Sequence, residues 1–131
     1  MTTPLKKTVF VVDDEEIIST TLAIILQAQG FDAIRFSQPL EALRAARSTT
    51  PDLLLSDVAM PLLSGVDLAI QILAICPDCK VLLFSGQAAT ADLLKVARQD
   101  DHKFELLIKP IHPVELLKYI DGLMGPPPLA E

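Results

Sequence analysis

Five side chains in this sequence could do chemistry together: the carboxylates of Asp13, Asp14 and Asp57, the hydroxyl of Ser85 and the amine of Lys109. Each follows a short, largely apolar run. Val9-Phe10-Val11-Val12 leads to the acid pair, Leu53-Leu54-Leu55-Ser56 to Asp57, Val81-Leu82-Leu83-Phe84 to Ser85, and Leu106-Leu107-Ile108 to Lys109. If those runs lie side by side, three carboxylates meet in one cleft and repel one another. Raised carboxyl pKa values or a bound cation would relieve that repulsion. An oxygen-only ligand set with open positions fits Mg²⁺, which keeps several of its own waters. Lys109 and Ser85, set opposite the acids, add one cationic and one neutral donor. Such a cleft fits a phosphoryl group, whose transfer needs mainly positioning and charge stabilisation. One of the carboxylates can then act as nucleophile and form an acyl phosphate.

A second group, Cys76-Pro77-Asp78-Cys79, has the C-x-x-C spacing of a redox pair or of half a zinc site. A tetrahedral zinc site needs about four ligands, and His102 and His112 form no recognisable second half. Redox pairs usually sit at a helix N-terminus, where the dipole favours thiolate. This pair follows an apolar helical stretch, so the dipole has the wrong sign. Two free, reduced thiols at a helix-to-strand connection are expected. Both histidines are expected to be solvated, with His112 capping a helix.

The elements that must position these groups follow from periodicity. Strands are predicted over 8–12, 31–36, 53–56, 80–84 and 106–108, where short apolar, β-branched runs occur. Helical spacing is predicted between and after them. Residues 15–29 place Ile18, Leu22, Ile25 and Leu26 on one face, and Gly30 terminates the helix. Residues 39–47 carry Leu40, Leu43 and Ala46. Ser64 caps a helix holding Leu68, Ile72 and Ile75. Residues 90–99 carry Leu93, Leu94 and Ala97, and residues 112–123 have Pro113 in the first turn. Five strands alternating with five helices argue for a parallel sheet covered on both faces. In such sheets ligands bind beyond the carboxyl ends of the strands. The five chemical side chains stand at those ends.

Composition narrows the function. The 131 residues are enough for one domain. Half are hydrophobic but only 5% are aromatic, so Leu, Ile, Val and Ala must build the core. Mean hydropathy is positive, yet runs such as Leu22-Ala23-Ile24-Ile25-Leu26 are far short of the roughly 20 residues a spanning helix needs. Neither membrane insertion nor a signal peptide is expected, and the reading is cytoplasmic. Net charge is −6 with no basic block, which argues against direct nucleic-acid binding. The acidity favours a cation or protein partners.

The set Val11-Val12-Asp13-Asp14, Asp57-Val58-Ala59-Met60-Pro61 with Gly65, Ser85-Gly86 and Lys109-Pro110 resembles the receiver domain of bacterial response regulators. All four elements occur in order, each at a predicted strand end, and the resemblance covers roughly residues 7–123. It implies an α/β fold of flavodoxin-like, doubly wound type: five parallel strands in the order 2-1-3-4-5. It implies a receiver domain over residues 1–124 and a Pro-rich tail over 125–131. Asp57 would accept a phosphoryl group from a histidine kinase or a histidine phosphotransfer protein. Asp14 would bind Mg²⁺ directly and Asp13 chiefly through water, with Asp57 and the Ala59 carbonyl completing the protein ligands. Lys109 would contact the phosphoryl group, Ser85 would report its arrival, and the Lys109–Pro110 bond would be cis. The chain would catalyse only its own phosphorylation and dephosphorylation, and signal to a downstream protein by conformational change. Ala59 and Gln87, flanking the site, would influence phosphoryl lifetime.

One position departs from the family. Receivers usually carry Tyr or Phe three residues before the lysine, and here that position is Leu106. The nearest upstream aromatic is Phe104, on the same strand face by its two-residue offset. The expectation is signalling without a ring flip, against the alternative that Phe104 supplies the ring. Other classes fit these residues less well. Asp13-Asp14 could merely cap the following helix. An aspartate-nucleophile phosphatase of haloacid dehalogenase type would need a second acid two residues after Asp57, where Ala59 stands. A thiol oxidoreductase is disfavoured by where the cysteines lie.

Overall fold

A computed structural model describes residues 6–60, 62–86, 104–110 and 112–125. In chain order its elements are β1 (Thr8–Val12), α1 (Glu16–Ala28), β2 (Asp32–Phe36), α2 (Pro39–Ala45), β3 (Leu53–Asp57), α3 (Gly65–Ile75), β4 (Lys80–Ser85), β5 (Glu105–Ile108) and α4 (Pro113–Met124). The strands form one sheet in the order β2-β1-β3-β4-β5, and every pairing is parallel. This is the expected flavodoxin-like arrangement. The helix expected over 90–99 lies outside the described residues.

Strand alternation splits the core in two. Val9, Val11, Leu53, Leu55, Leu82 and Phe84 point to one face and pack with Leu22 and Leu26 of α1 and Leu116 and Ile120 of α4. Phe10, Val12, Leu54 and Leu83 point to the other, against Ala42 of α2 and Leu68, Ala69 and Ile72 of α3. Strands covered on both faces must be apolar at every position, which is why β1, β3 and β4 read as continuous runs. The edge strand β2 is covered less and mixes exposed with buried residues.

Helix ends follow local chemistry. Gly30 takes φ +94 just after α1, a conformation glycine adopts without penalty. Ser64 Oγ accepts from the Asp67 backbone N–H at 3.1 Å, so it caps α3 as expected. His112 occupies the N-cap position of α4, but its side chain makes no capping hydrogen bond. The expectation that it caps holds for position only, because Pro113 removes one N–H from the first turn. Lys7 Nζ donates to the Met124 carbonyl and ties the end of α4 to the start of β1.

Boundaries shift by a residue or two. Phe31 belongs to the turn before β2, with its N–H donating to the Leu26 carbonyl at 3.1 Å. β3 and β4 each extend by one residue, so Asp57 and Ser85 are the last residues of their strands. Cys76 and Cys79 are free and buried after α3, and burial pushes the Cys79 thiol up to about 12. A thiol so hard to ionise is a poor nucleophile. Among the described residues, no helix is long and apolar enough to cross a membrane.

Candidate functional site

The parallel register brings the ends of β1, β3, β4 and β5 to one edge of the sheet. Asp13 extends β1, its N–H donating to the Phe36 carbonyl at 3.2 Å. Its Oδ1 accepts from the Glu15 N–H at 2.9 Å, and Glu15, not either aspartate, is the N-cap of α1. The capping role is therefore not what holds the acid pair. Asp13 is fully buried, Asp57 nearly so, and Asp14 exposed. One carboxylate oxygen from each of the three lies within 4.8 Å of the others.

Lys109 Nζ approaches this acidic group from β5. It lies 3.4 Å from Asp57 Oδ2 and 3.8 Å from Asp13 Oδ2, and 5.4 Å from the centre of the Phe84 ring. The Lys109 N–H donates to the Ser85 carbonyl at 2.8 Å, which fixes the end of β5 to β4. The Lys109–Pro110 peptide bond is cis, as expected. Ser85 is buried, and its Oγ donates to the Gly86 carbonyl at 2.6 Å.

One lysine does not balance three carboxylates. Burial pushes Asp13 up to about 6, and the neighbouring Asp57 and Asp14 charges add to the rise against the hydrogen bond from Glu15 and the pull of Lys109. Burial also raises Asp57, opposed by Lys109 and by a hydrogen bond from the Ala59 backbone. Among the described residues, Asp13 Oδ2 is buried without a hydrogen-bond partner, with Lys109 Nζ 3.8 Å away. A buried acceptor without a donor is costly, and a cation bound among the three oxygens would satisfy it. The donors are all oxygens, as a hard divalent cation prefers. The residues present thus fit such an ion.

The loop after Asp57 is anchored at both ends. The Gly65 N–H donates to the Val58 carbonyl at 2.8 Å. A Cβ on Gly65 would stand 2.1 Å from the Asp57 carbonyl oxygen, so only glycine permits this approach. Within the loop, Leu62 takes φ 73, a left-handed conformation that costs a non-glycine residue on the order of 1–2 kcal/mol.

All five chemically able side chains named from the sequence come to this edge. Pro61, Gln87 and His102 lie outside the described residues. Phe104 is buried and Leu106 half-buried in the same α2–α3 side of the core. Two contributors were not singled out from the sequence. Ser56 Oγ donates to the Asp57 carbonyl at 2.9 Å; its signal was a hydroxyl in a strand otherwise apolar on both faces. Phe84, whose ring lies under the Lys109 amine, carried no signal, since an aromatic in a core strand is ordinary.

Comparison with known proteins agrees with this geometry. Residues 9–121 match the response regulator receiver domain family. The chain is 37% identical over 89 residues to the transcriptional regulatory protein CreB of Escherichia coli, covering 68% of this chain and 39% of CreB. It therefore spans less than half the length of that relative. Among solved structures, a CheY-like receiver domain protein from Methanospirillum hungatei superposes with a TM-score of 0.82 at 22% identity, covering 90% of this chain and 93% of that one. A response regulator from Burkholderia pseudomallei, solved with a phosphorylated aspartic acid, a calcium ion and citrate, gives 0.75 at 26% identity, covering 86% of this chain and 65% of that one. With a matching family that spans nearly the whole sheet and its acid-bearing edge, the chain belongs to the response-regulator receiver domains of two-component systems.

Proposed function

We propose that this receiver accepts a phosphoryl group on Asp57 from a histidine kinase or a histidine phosphotransfer protein, and passes the signal to a downstream protein by conformational change. The observation that carries this is the Asp57 carboxylate at the end of β3, 3.4 Å from Lys109 Nζ and clustered with Asp13 and Asp14. In the transfer, the N–P bond of the donor's phosphohistidine breaks as an O–P bond forms to a carboxylate oxygen of Asp57. The imidazole nitrogen keeps the electron pair. Lys109 neutralises charge on the transferred oxygens, and Ser85 donates to one of them after turning from the Gly86 carbonyl. The Ala59 N–H orients the Asp57 carboxylate.

Asp13, Asp14, Asp57 and the Ala59 carbonyl would hold Mg²⁺, which supplies charge neutralisation for the phosphoryl oxygens when bound. The Burkholderia pseudomallei relative, with its phosphorylated aspartate and calcium ion, supports both the modified residue type and a divalent cation. Within this sequence the receiver spans residues 1–124, ahead of the Pro-rich segment 125–131, and its net charge of −6 favours contacts with a cation or other proteins over direct contact of the receiver with nucleic acid.

Incubation with acetyl phosphate and Mg²⁺ tests the reading. One phosphoryl group per chain is expected, abolished in a folded Asp57→Asn variant. Full labelling of that variant elsewhere would refute the assignment. Many turnovers per minute would instead indicate a phosphatase of haloacid dehalogenase type, which Ala59 disfavours.

A further inference from the structure

Asp57 and Phe84 are register partners on β3 and β4, so their side chains leave the sheet on the same face. Phe84 pairs in turn with Leu107 of β5, and Lys109 follows Leu107 by two residues. In the sheet β4 lies between β3 and β5, so the lysine must reach across β4 to meet Asp57. What it crosses is the Phe84 ring. Nζ stands over that ring, 5.4 Å from its centre, and 3.4 Å from Asp57 Oδ2. Both acids stand farther from the amine than the roughly 2.7–2.9 Å of a close charge-assisted hydrogen bond, so neither clamps it. Phe84 is fully buried. For packing alone a leucine would serve at this position, as Leu55 and Leu82 do on the same face. An aromatic ring adds a negative face, which attracts a cation within about 6 Å of its centre and does so more strongly where water is excluded.

We propose that Phe84 is a positioning residue for Lys109: the face of its ring holds the amine above β4, in place to meet the oxygens of a group transferred to Asp57. This rests on the reading of Asp57 as acceptor. The ring touches no reacting atom and acts only through where it keeps the amine. Its contribution to transfer therefore depends on the electron density of the ring face, over and above the space that the ring fills.

The test varies that density while keeping the packing. Phe84 is replaced, by site-specific incorporation, with phenylalanine carrying one, two or three ring fluorines. Each fluorine withdraws electron density from the ring face and changes the ring's size little. Labelling by acetyl phosphate with Mg²⁺ should slow stepwise with fluorine number, to about one fifth of the unaltered rate at three fluorines. Phe84→Leu should be at least as slow at a temperature where it is folded. Denaturant melts give a reading independent of labelling. Three fluorines should lower the midpoint in the otherwise unaltered chain relative to their effect in Lys109→Met, where no cation lies over the ring. Labelling that ignores fluorine number, a folded Phe84→Leu that labels at the unaltered rate, or equal melt changes in both backgrounds would overturn the proposal. Failure of acetyl phosphate to label the unaltered chain would remove the reading of Asp57, and the ring's role in transfer with it. The melts distinguish that failure from a failure of the contact between Lys109 and Phe84.

Discussion

Asp13 sits at the centre of the site's electrostatics. It is buried, its Oδ2 lacks a hydrogen-bond partner among the described residues, and its pKa is pushed up to about 6 from the ordinary 3.8. An acid that binds its proton more tightly when folded favours the folded state at low pH. That contribution is complete below about 3.8 and is lost as pH rises through about 6. In chelator, raising the pH from 4 to 7 should therefore cost the unaltered protein stability relative to Asp13→Asn, by on the order of 2–3 kcal/mol. Denaturant melts of the two proteins across that range measure the difference, and parallel curves would count against it. The sequence named Asp13 from its neighbours Asp14 and Asp57. It did not show which oxygen would be left without a donor.

At the scale of elements, the turn from β3 into α3 decides where Asp57 points. Gly65 packs so closely on the Asp57 carbonyl that a methyl group would collide with backbone. Backbone cannot swing aside as a long side chain can, so Gly65→Ala must displace either the start of α3 or the end of β3. A destabilisation of about 2 kcal/mol or more is expected, with labelling by acetyl phosphate slowed beyond what the unfolded fraction explains. Circular dichroism melts and labelling rates at a temperature where the variant is folded would separate the two effects. A variant that melts and labels like the unaltered protein would show that the loop adapts. The Ser64 cap and the Gly30 stop were legible because each rests on chemistry within a few residues. The Gly65 contact was legible only as a family motif, since the collision is with a strand eight residues upstream.

At the scale of the whole molecule, the sheet brings three acidic side chains from two strands to one edge and leaves their repulsion for a ligand to relieve. A cation that binds only the folded chain raises its stability in proportion to the logarithm of its concentration. At about 100 times its Kd, Mg²⁺ should add roughly 2.7 kcal/mol, seen as a rise in Tm of several degrees. The rise should shrink strongly in Asp14→Ala, whose carboxylate is the exposed member of the group. An equal rise in both proteins would point to a general salt effect.

The sequence by itself determined the class of fold, the order of the described elements, and the five side chains at the strand ends. It could do so because apolar runs covered on both faces and strand-end polar residues are local patterns that survive in one dimension. Tertiary structure alone decided what those side chains do to one another. The distance from Lys109 to Asp57, the burial that lifts Asp13, and the Phe84 ring beneath the Lys109 amine all arise between strands far apart in the chain. It also decided the backbone of Leu62. A leucine in a loop gives no sign of a left-handed φ, which is seen only in the folded loop that the Val58–Gly65 hydrogen bond closes.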